Sequence, residues 1–340
     1  MSKVSVVIPT KNRSALLAEC IERIESQTIP RDQYEVIVID NDSSDETRTV
    51  LEQKSKSYPN LKAGFQEKRG AAATRNAGLR LAKGDLILFI DDDVQAEPGL
   101  IQAHLDCHRH YPNASVIGAV SMPWGDTSDP FLRYLRDHRI LNPYTPSKGP
   151  IDFSYYHTCN VSTPTQMLLT VGGFNESFDI YGMEDIELGY RLQKANSRMV
   201  FAADARAVHY RFPGYQDFIE RSEQAGYSLG QLIRLHPELK TRFVESSRFA
   251  RRLKSVHSLY GWAASALSPF VRMLTNWENT RGTGSLTWLM DSHYAWSIRY
   301  HFFLGYHRYS KDRQRPHREL VTPIQPALGK EYQIKAKGEL

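Results

Sequence analysis

Residues 86–93 read Leu-Ile-Leu-Phe-Ile-Asp-Asp-Asp. Five consecutive apolar residues describe a strand buried on both faces, as in the interior of a parallel sheet. Asp91, Asp92 and Asp93 then fall at the carboxyl end of that strand, where open α/β sheets bind their ligands. Adjacent carboxylates in a solvent-poor cleft repel one another, and such hard oxygen ligands suit magnesium or manganese. The competing reading is a solvated acidic turn.

The flanking sequence alternates strand and helix. Val4-Ser5-Val6-Val7-Ile8 forms a first strand ended by Pro9. A helix follows, capped by Asn12 or Ser14, with Leu16, Leu17, Cys20, Ile21 and Ile24 on its apolar face. Residues 36–40 make a second strand, and the segment 40–47 (DNDSSDET) turns into a second helix with Ser44 or Asp42 as cap. A helix over 71–82 precedes the acidic strand. This alternation predicts an α/β fold, a mostly parallel sheet with helices on both faces. Residues 112–160, rich in Pro, Gly, Tyr and Asp, read as loops and short strands over a cleft. A helix over 183–195, one or two strands in 198–209 and helical periodicity from 215 complete the pattern. The tail 319–340 reads as mobile.

The 340 residues contain no run of 18 apolar residues and no basic-apolar leader, so neither a membrane span nor secretion is expected. The three cysteines, Cys20, Cys107 and Cys159, have no metal-ligand spacing and suggest no disulfide framework. A cytoplasmic protein is expected, with peripheral attachment to the inner membrane face as a variant. The net charge of +5 is uneven: residues 248–318 hold 12 Lys+Arg against 3 Asp+Glu. The dense aromatics Tyr294, Trp296, Tyr300, His301, Phe302, Phe303, Tyr306 and Tyr309 lie there too. A basic aromatic helix can lie on an anionic membrane. It can equally pack on the sheet or form a homodimer. No nucleic-acid motif is present, so no nucleic-acid partner is expected.

The first strand runs into Pro-Thr-Lys-Asn, and the chain has neither the glycine fingerprint of dinucleotide folds nor a P-loop. Nucleotidyl transfer would call for a glycine-rich or basic triphosphate loop at that point. Asp40 and Asp42, at the end of the second strand, are suited to accept from a base N–H or a ribose hydroxyl, or to cap a turn. Arg69 and Arg75 flank the small-residue run 70–73. The guanidinium fork of Arg75 suits a diphosphate or base; the alternative is a tightly packed helix with a surface arginine. Asp185 sits near a helix start, where the dipole favours its ionised form and suits proton abstraction.

In order, SVVIPTKN, VIVIDNDSSDET, AAATRNAGLRLAKGD, LILFIDDDV, GGFNESF, EDIELGYRL and AVHY resemble the inverting glycosyltransferases of family 2, over about residues 3–212. The resemblance implies a GT-A fold in 1–212, with a nucleotide-sugar half (1–110) and an acceptor half (111–212), followed by a helical region (213–318). It implies that Pro9, Thr10 and Asn12 lie by the nucleoside, with Asp40 and Asp42 near the base and Arg69 and Arg75 in the nucleotide pocket. Asn41 stands where many relatives have a second Asp. Asp91 and Asp92 are implied near the ribose and diphosphate. Asp93 is implied as the direct ligand of manganese or magnesium, with Asp91 and His209 as further ligands. Asp185 is the implied general base, Glu184 its alternate, and Trp124, Asn160 and Gly173 are acceptor-side candidates. The implied reaction moves a sugar from a nucleoside-diphosphate-sugar to a glycan or lipid-linked acceptor. The alternative is a degenerate member that binds nucleotide-sugar without turnover.

Overall fold

A computed structural model describes residues 3–124, 127–140, 151–245, 273 and 287–312. Its centre is an eight-stranded sheet in the order β3-β2-β1-β4-β7-β6-β8-β5. The strands are β1 (Val4–Thr10), β2 (Tyr34–Asp40), β3 (Leu61–Phe65), β4 (Leu86–Ile90), β5 (Val94–Ala96), β6 (Ala114–Ser121), β7 (Asn160–Pro164) and β8 (Arg198–His209). Helices α1 (Ser14–Glu25), α2 (Thr47–Ser57), α3 (Ala71–Leu81), α4 (Leu100–His110), α5 (Pro130–Asp137), α6 (Thr165–Thr170), α7 (Glu184–Lys194), α8 (Tyr215–Leu235) and α9 (Thr287–Lys311) surround it.

The central strands sort their side chains by the two-residue period of an extended chain. Val4, Val6 and Ile8 of β1, Val36 and Val38 of β2, and Leu86, Leu88 and Ile90 of β4 join one core with Leu17, Ile21 and Ile24 of α1 and Leu100, Ile101 and Leu105 of α4. Val7, Ile37, Ile39, Ile87 and Phe89 join the other, with Leu79 of α3, Ile186, Leu188 and Leu192 of α7, and Leu229 and Leu232 of α8. β4 is fully buried along its length, as its apolar run requires. Its carboxyl end therefore opens where the two helical layers part.

Four of the seven strand pairings are parallel, and they include all those among β1–β4. The expected helices over 71–82 and 183–195 correspond to α3 and α7. Three local expectations are corrected. Residues 114–121 form a largely buried interior strand, not a short covering one. β3 carries no alternation strong enough to have been assigned. Neither Asn12 nor Ser14 caps α1, and neither Asp42 nor Ser44 caps α2. Asp45 serves both starts: its Oδ2 accepts from the Ser14 N–H at 3.0 Å and its Oδ1 from the Thr47 N–H at 3.1 Å.

The described part of the basic, aromatic segment is α9, which packs along α8. Met290 and Tyr294 join Phe131, Tyr134 and Leu135 of α5 in a small core, and Phe303 enters the main one. Packing on the folded domain thus accounts for Tyr294 and Phe303, with Tyr300, Phe302 and Tyr306 partly buried against the main core. Residues 248–272, 274–286 and 313–318, and the tail 319–340, lie outside the described residues. No helix among the described residues is long and apolar enough to cross a membrane.

Glycines set the approach of α8 and α9. A Cβ on Gly226 would meet the Phe302 carbonyl oxygen at 1.7 Å, and one on Gly305 the Glu223 carbonyl oxygen at 1.9 Å. Gly226→Ala and Gly305→Ala should each force the helices apart. The overpacking cost, roughly 1–3 kcal/mol, exceeds alanine's gain in helix propensity of about 1 kcal/mol. Thermal melts should show a lower Tm for both, while Gly99→Ala, which faces open space, stays close to wild type.

Candidate active site

Asp91, Asp92 and Asp93 occupy the turn from β4 to β5, closed by the Val94 N–H on the Asp91 carbonyl at 3.1 Å. Each carboxylate has its own partners. Asp91 Oδ1 accepts from Arg75 Nη2 at 2.7 Å. Asp92 accepts from Thr10 Oγ1 at 2.8 Å and from Arg13 Nη1 at 2.7 Å. The same Arg13 nitrogen donates to Asp93 Oδ2 at 2.7 Å. On its other side, Asp93 Oδ1 lies 3.0 Å from His209 Nε2. The last residue of β8 reaches Asp93 because Val94 pairs with His209 and the Tyr210 N–H donates to the Asp93 carbonyl at 2.8 Å.

These partners split the titration of the triplet. Burial raises Asp92 to about 6, with Arg13 opposing and Asp93 reinforcing. Burial also acts to raise Asp93, but His209 and Arg13 outweigh it and hold that carboxyl well below its usual range.

Arg75 is no surface arginine. It is 5% exposed, with its guanidinium 5.8 Å from the Phe174 ring centroid. Its Nη1 donates to Glu184 Oε1 at 3.1 Å, so one side chain joins the acidic turn to the start of α7. The small residues beside it serve packing: Ala72 and Ala73 are buried, and a Cβ on Gly78 would strike Val7.

Gly182 (φ 98°) and Met183 (φ 68°) turn the chain through left-handed conformations into α7. Its first turn carries Glu184, Asp185 and Glu187. Burial and the Asp185 charge push Glu184 up to about 7, against Arg75. Burial acts to raise Asp185 too, but His157, whose Nδ1 lies 3.4 Å from Asp185 Oδ2, and Arg75 bring it below the usual carboxylate value. Glu187 is held by Arg191 and His236.

The other candidates are placed as follows. Asp40 is buried, and its Oδ1 accepts from the Ser43 N–H at 3.1 Å. Asp42 is exposed in a left-handed conformation. Asn12, also left-handed, stitches the β1–α1 loop to the β2–α2 loop through Ser43 and Ser44. Pro9 is half-buried beside Thr10, and Arg69 is exposed. Asn41 holds the loop before α3, donating to the Gln66 and Lys68 carbonyls at 2.7 and 2.9 Å.

On the acceptor side, the structure gives Asn160 a different task. Its amide is spent on His104 and on the Ala119 and Ala205 carbonyls, which ties β7 to its neighbours. Gly173 (φ 68°) sits before Phe174, the ring under Arg75, and its carbonyl accepts from Arg191 at 2.7 Å. Trp124 stacks edge-on with Phe212 at 6.0 Å, and its buried indole N–H has no hydrogen-bond partner among the described residues.

The residues that sequence reasoning passed over are Arg13, Asp45 and His157. Arg13 directly follows the Pro-Thr-Lys-Asn segment that drew attention, and its charge opposite an acidic triplet was the available signal. His157 carries none in sequence.

Whether these side chains suit a divalent cation turns on His209. Its Nε2 is buried, 3.0 Å from Asp93 Oδ1, yet without hydrogen-bond geometry to any partner among the described residues. Adjacent ligand atoms of a six-coordinate magnesium, each about 2.1 Å from the ion, lie about 3 Å apart. Asp93 and His209 therefore fit as a pair. Asp91 does not join them, because Arg75 holds it. Among the described residues no group of three or more such side chains converges. A site that leaves most positions to substrate oxygens and water is typical of magnesium.

The carboxyl ends of the parallel strands thus bring together a carboxylate turn, two arginines and a second acidic pair, Glu184 and Asp185. Residues 5–169 match the profile described as Glycosyl transferase family 2, and 141–213 that described as N-terminal domain of galactosyltransferase. Validoxylamine A glucosyltransferase from Streptomyces hygroscopicus subsp. jinggangensis is 30% identical over 274 residues, 69% of this chain and 61% of that protein. The chain belongs to glycosyltransferase family 2 and has the GT-A fold. It spans about three fifths of the length of that relative.

Among solved structures, a mannosyltransferase from Pyrobaculum calidifontis, in complex with GDP-Man and Mn2+, superposes with a TM-score of 0.59 at 20% identity, covering 89% of this chain and 87% of its own. S. aureus TarS 1-349 in complex with UDP-GlcNAc gives 0.53 at 16% identity, covering 91% and 92%. These support the fold.

The raised carboxyl of Glu184 has a stability consequence. A folded-state value near 7, against an ordinary 4.5, means that the native chain holds this proton more tightly than the unfolded chain does. The contribution is full below pH 4.5 and is lost as pH rises through 7, an effect on the order of 3 kcal/mol. Glu184→Gln keeps an acceptor for Arg75 but cannot titrate. Its Tm should therefore fall less than that of wild type between pH 5 and 8, in parallel melts.

Proposed function

We propose that the chain is a divalent-cation-dependent, inverting glycosyltransferase that moves a sugar from a nucleoside-diphosphate-sugar to a hydroxyl of a glycan acceptor. The observation that carries this reading is the Arg75 bridge. It ties Asp91, at the β4 carboxyl end, to Glu184 at the start of α7, so the donor end and the base are held in one buried unit. Family membership supports glycosyl transfer, and the Mn2+, GDP-Man and UDP-GlcNAc in complex with the structural neighbours support the choice of donor and cation.

Asp185 is the base in this reading. Its depressed carboxyl is ionised at neutral pH, and the α7 dipole and His157 hold it so. It takes the proton of the acceptor hydroxyl as that oxygen bonds to the anomeric carbon. The bond from that carbon to the diphosphate oxygen breaks on the opposite face, which inverts the sugar. Thr10, Asp40 and Asp91 line the nucleoside and ribose end. A magnesium or manganese ion held by Asp93 and His209 would supply Lewis-acid stabilisation of the departing diphosphate.

Asp185→Asn preserves the shape of the side chain and removes the base. Product formation from UDP-, GDP- and TDP-sugars over an acceptor panel should fall at least about a hundredfold. Calorimetric affinity for the matching nucleoside diphosphate should stay within about threefold. Undiminished turnover would reject Asp185 as the base. Nucleotide binding with no turnover in wild type on any acceptor would favour the degenerate-member reading.

A further inference from the structure

Arg13 has no task in that reaction, yet it contacts two of the three carboxylates of the acidic turn. One nitrogen, Nη1, donates to both Asp92 and Asp93 at 2.7 Å. Its Nη2 and Nε make no hydrogen bond among the described residues, and its side chain is 30% exposed. Arg75, by contrast, has 6% of its side chain exposed and is fixed between Asp91 and Glu184. The turn therefore has one fixed arginine and one held by a single nitrogen at the cleft surface.

We propose that Arg13 is a resident counter-cation which neutralises Asp92 and Asp93 in the metal-free protein and gives them up when a divalent cation binds, so that arginine and metal compete. This rests on the reading in which Asp93 and His209 hold the metal.

The electrostatics favour exchange over coexistence. Arg13 lies on Asp93 Oδ2 while the His209 edge is at Oδ1, so the guanidinium and an ion at that edge would share one carboxylate. A unit charge and a divalent charge about 5 Å apart repel enough, even in bulk water, to weaken metal binding roughly tenfold, and more in a partly buried cleft. Of the groups involved, Asp92, Asp93 and His209 are fixed by the turn and the β5–β8 pairing. Arg13, on a flexible stem, is the group free to leave. Its backbone is an anchored pivot: Asn12 is pinned by Ser43 and Ser44, and Ser14 by Asp45. A released Arg13 therefore stays at the cleft mouth.

The test uses manganese alone, without nucleotide, on the full chain. Free manganese is followed by electron paramagnetic resonance during titration of wild type, Arg13→Met, His209→Ala and the double variant. Competition predicts roughly tenfold or tighter binding in Arg13→Met than in wild type, with His209→Ala weakening binding in both backgrounds. Equal or weaker binding in Arg13→Met, with the His209 effect intact, overturns the proposal and spares the metal reading. Absence of manganese binding in both wild type and Arg13→Met overturns the two together. A measurement on wild type guards against misfolding of the variant. In a spectrum of arginine Nε–Hε groups, saturating magnesium should move the Arg13 signal towards that of free arginine and leave Arg75 in place. An unmoved Arg13 signal at saturation overturns the exchange.

Discussion

Three carboxylates on consecutive residues can be placed in a cleft only if cations come with them. Two unit charges about 5 Å apart at an effective dielectric near 20 repel by about 3 kcal/mol, a large fraction of the 5–15 kcal/mol by which a domain is typically stable. Here Arg13 meets Asp92 and Asp93, Arg75 meets Asp91, and His209 stands beside Asp93. Much of the surrounding architecture serves to bring those groups in. The β1–α1 loop is bent through Asn12 and stitched to the β2–α2 loop so that Arg13 faces the turn. β8 runs beside β5 so that its final residue arrives at Asp93. Helix α3 rests on β1 through Gly78, whose missing Cβ lets it sit directly on Val7.

Arg75 adds a second constraint. Its guanidinium lies over Phe174, and Phe174 is fixed by a reciprocal pair with Asn76, which donates to its carbonyl at 2.9 Å and accepts from its N–H at 2.8 Å. The left-handed Gly172 and Gly173 bring the chain to that position. The GGF segment, α3 and the start of α7 are thus one mechanical unit about a buried arginine. Its remaining nitrogen, Nε, has no hydrogen-bond partner among the described residues, so the burial of Arg75 is justified by its two carboxylates and the ring.

The parts legible in sequence were those encoded locally. The apolar run of β4, its acidic end, the α3 and α7 periodicities and the acidic first turn of α7 each lie within a dozen residues. The residues that escaped are defined by contacts across the chain. Arg13 meets partners some 80 positions away, and His157 meets Asp185 from the loop before β7. The three partners of Asn160, on α4, β6 and β8, are likewise invisible in its sequence neighbourhood. The aromatic crowding of α9 was legible, but only α5 and α8 say which way it faces. Asp45 was hidden among six other capping-type residues in 40–47, and which of them points at two helix starts is decided by the fold.

The division of labour within Glu184-Asp185 follows from the same electrostatics. Two adjacent acids at one helix start cannot both ionise cheaply, and their environments push them apart. Glu184 faces inward on Arg75 with Oε2 unpartnered among the described residues, so its raised value reflects burial, and its proton has little access to solvent. Asp185 keeps 19% of its side chain exposed and has His157 to favour its charge. A value near 7 would on its own nominate Glu184 as the base, since a base titrating near working pH is the most efficient. In the proposed reaction, access favours Asp185 instead. A carboxylate gripped by a buried arginine cannot reach an incoming hydroxyl without breaking the bridge that fixes α7, whereas Asp185 can accept the proton with that bridge intact. Glu184, nearer neutrality, also keeps the negative charge beside Asp185 low, which lets Asp185 stay ionised.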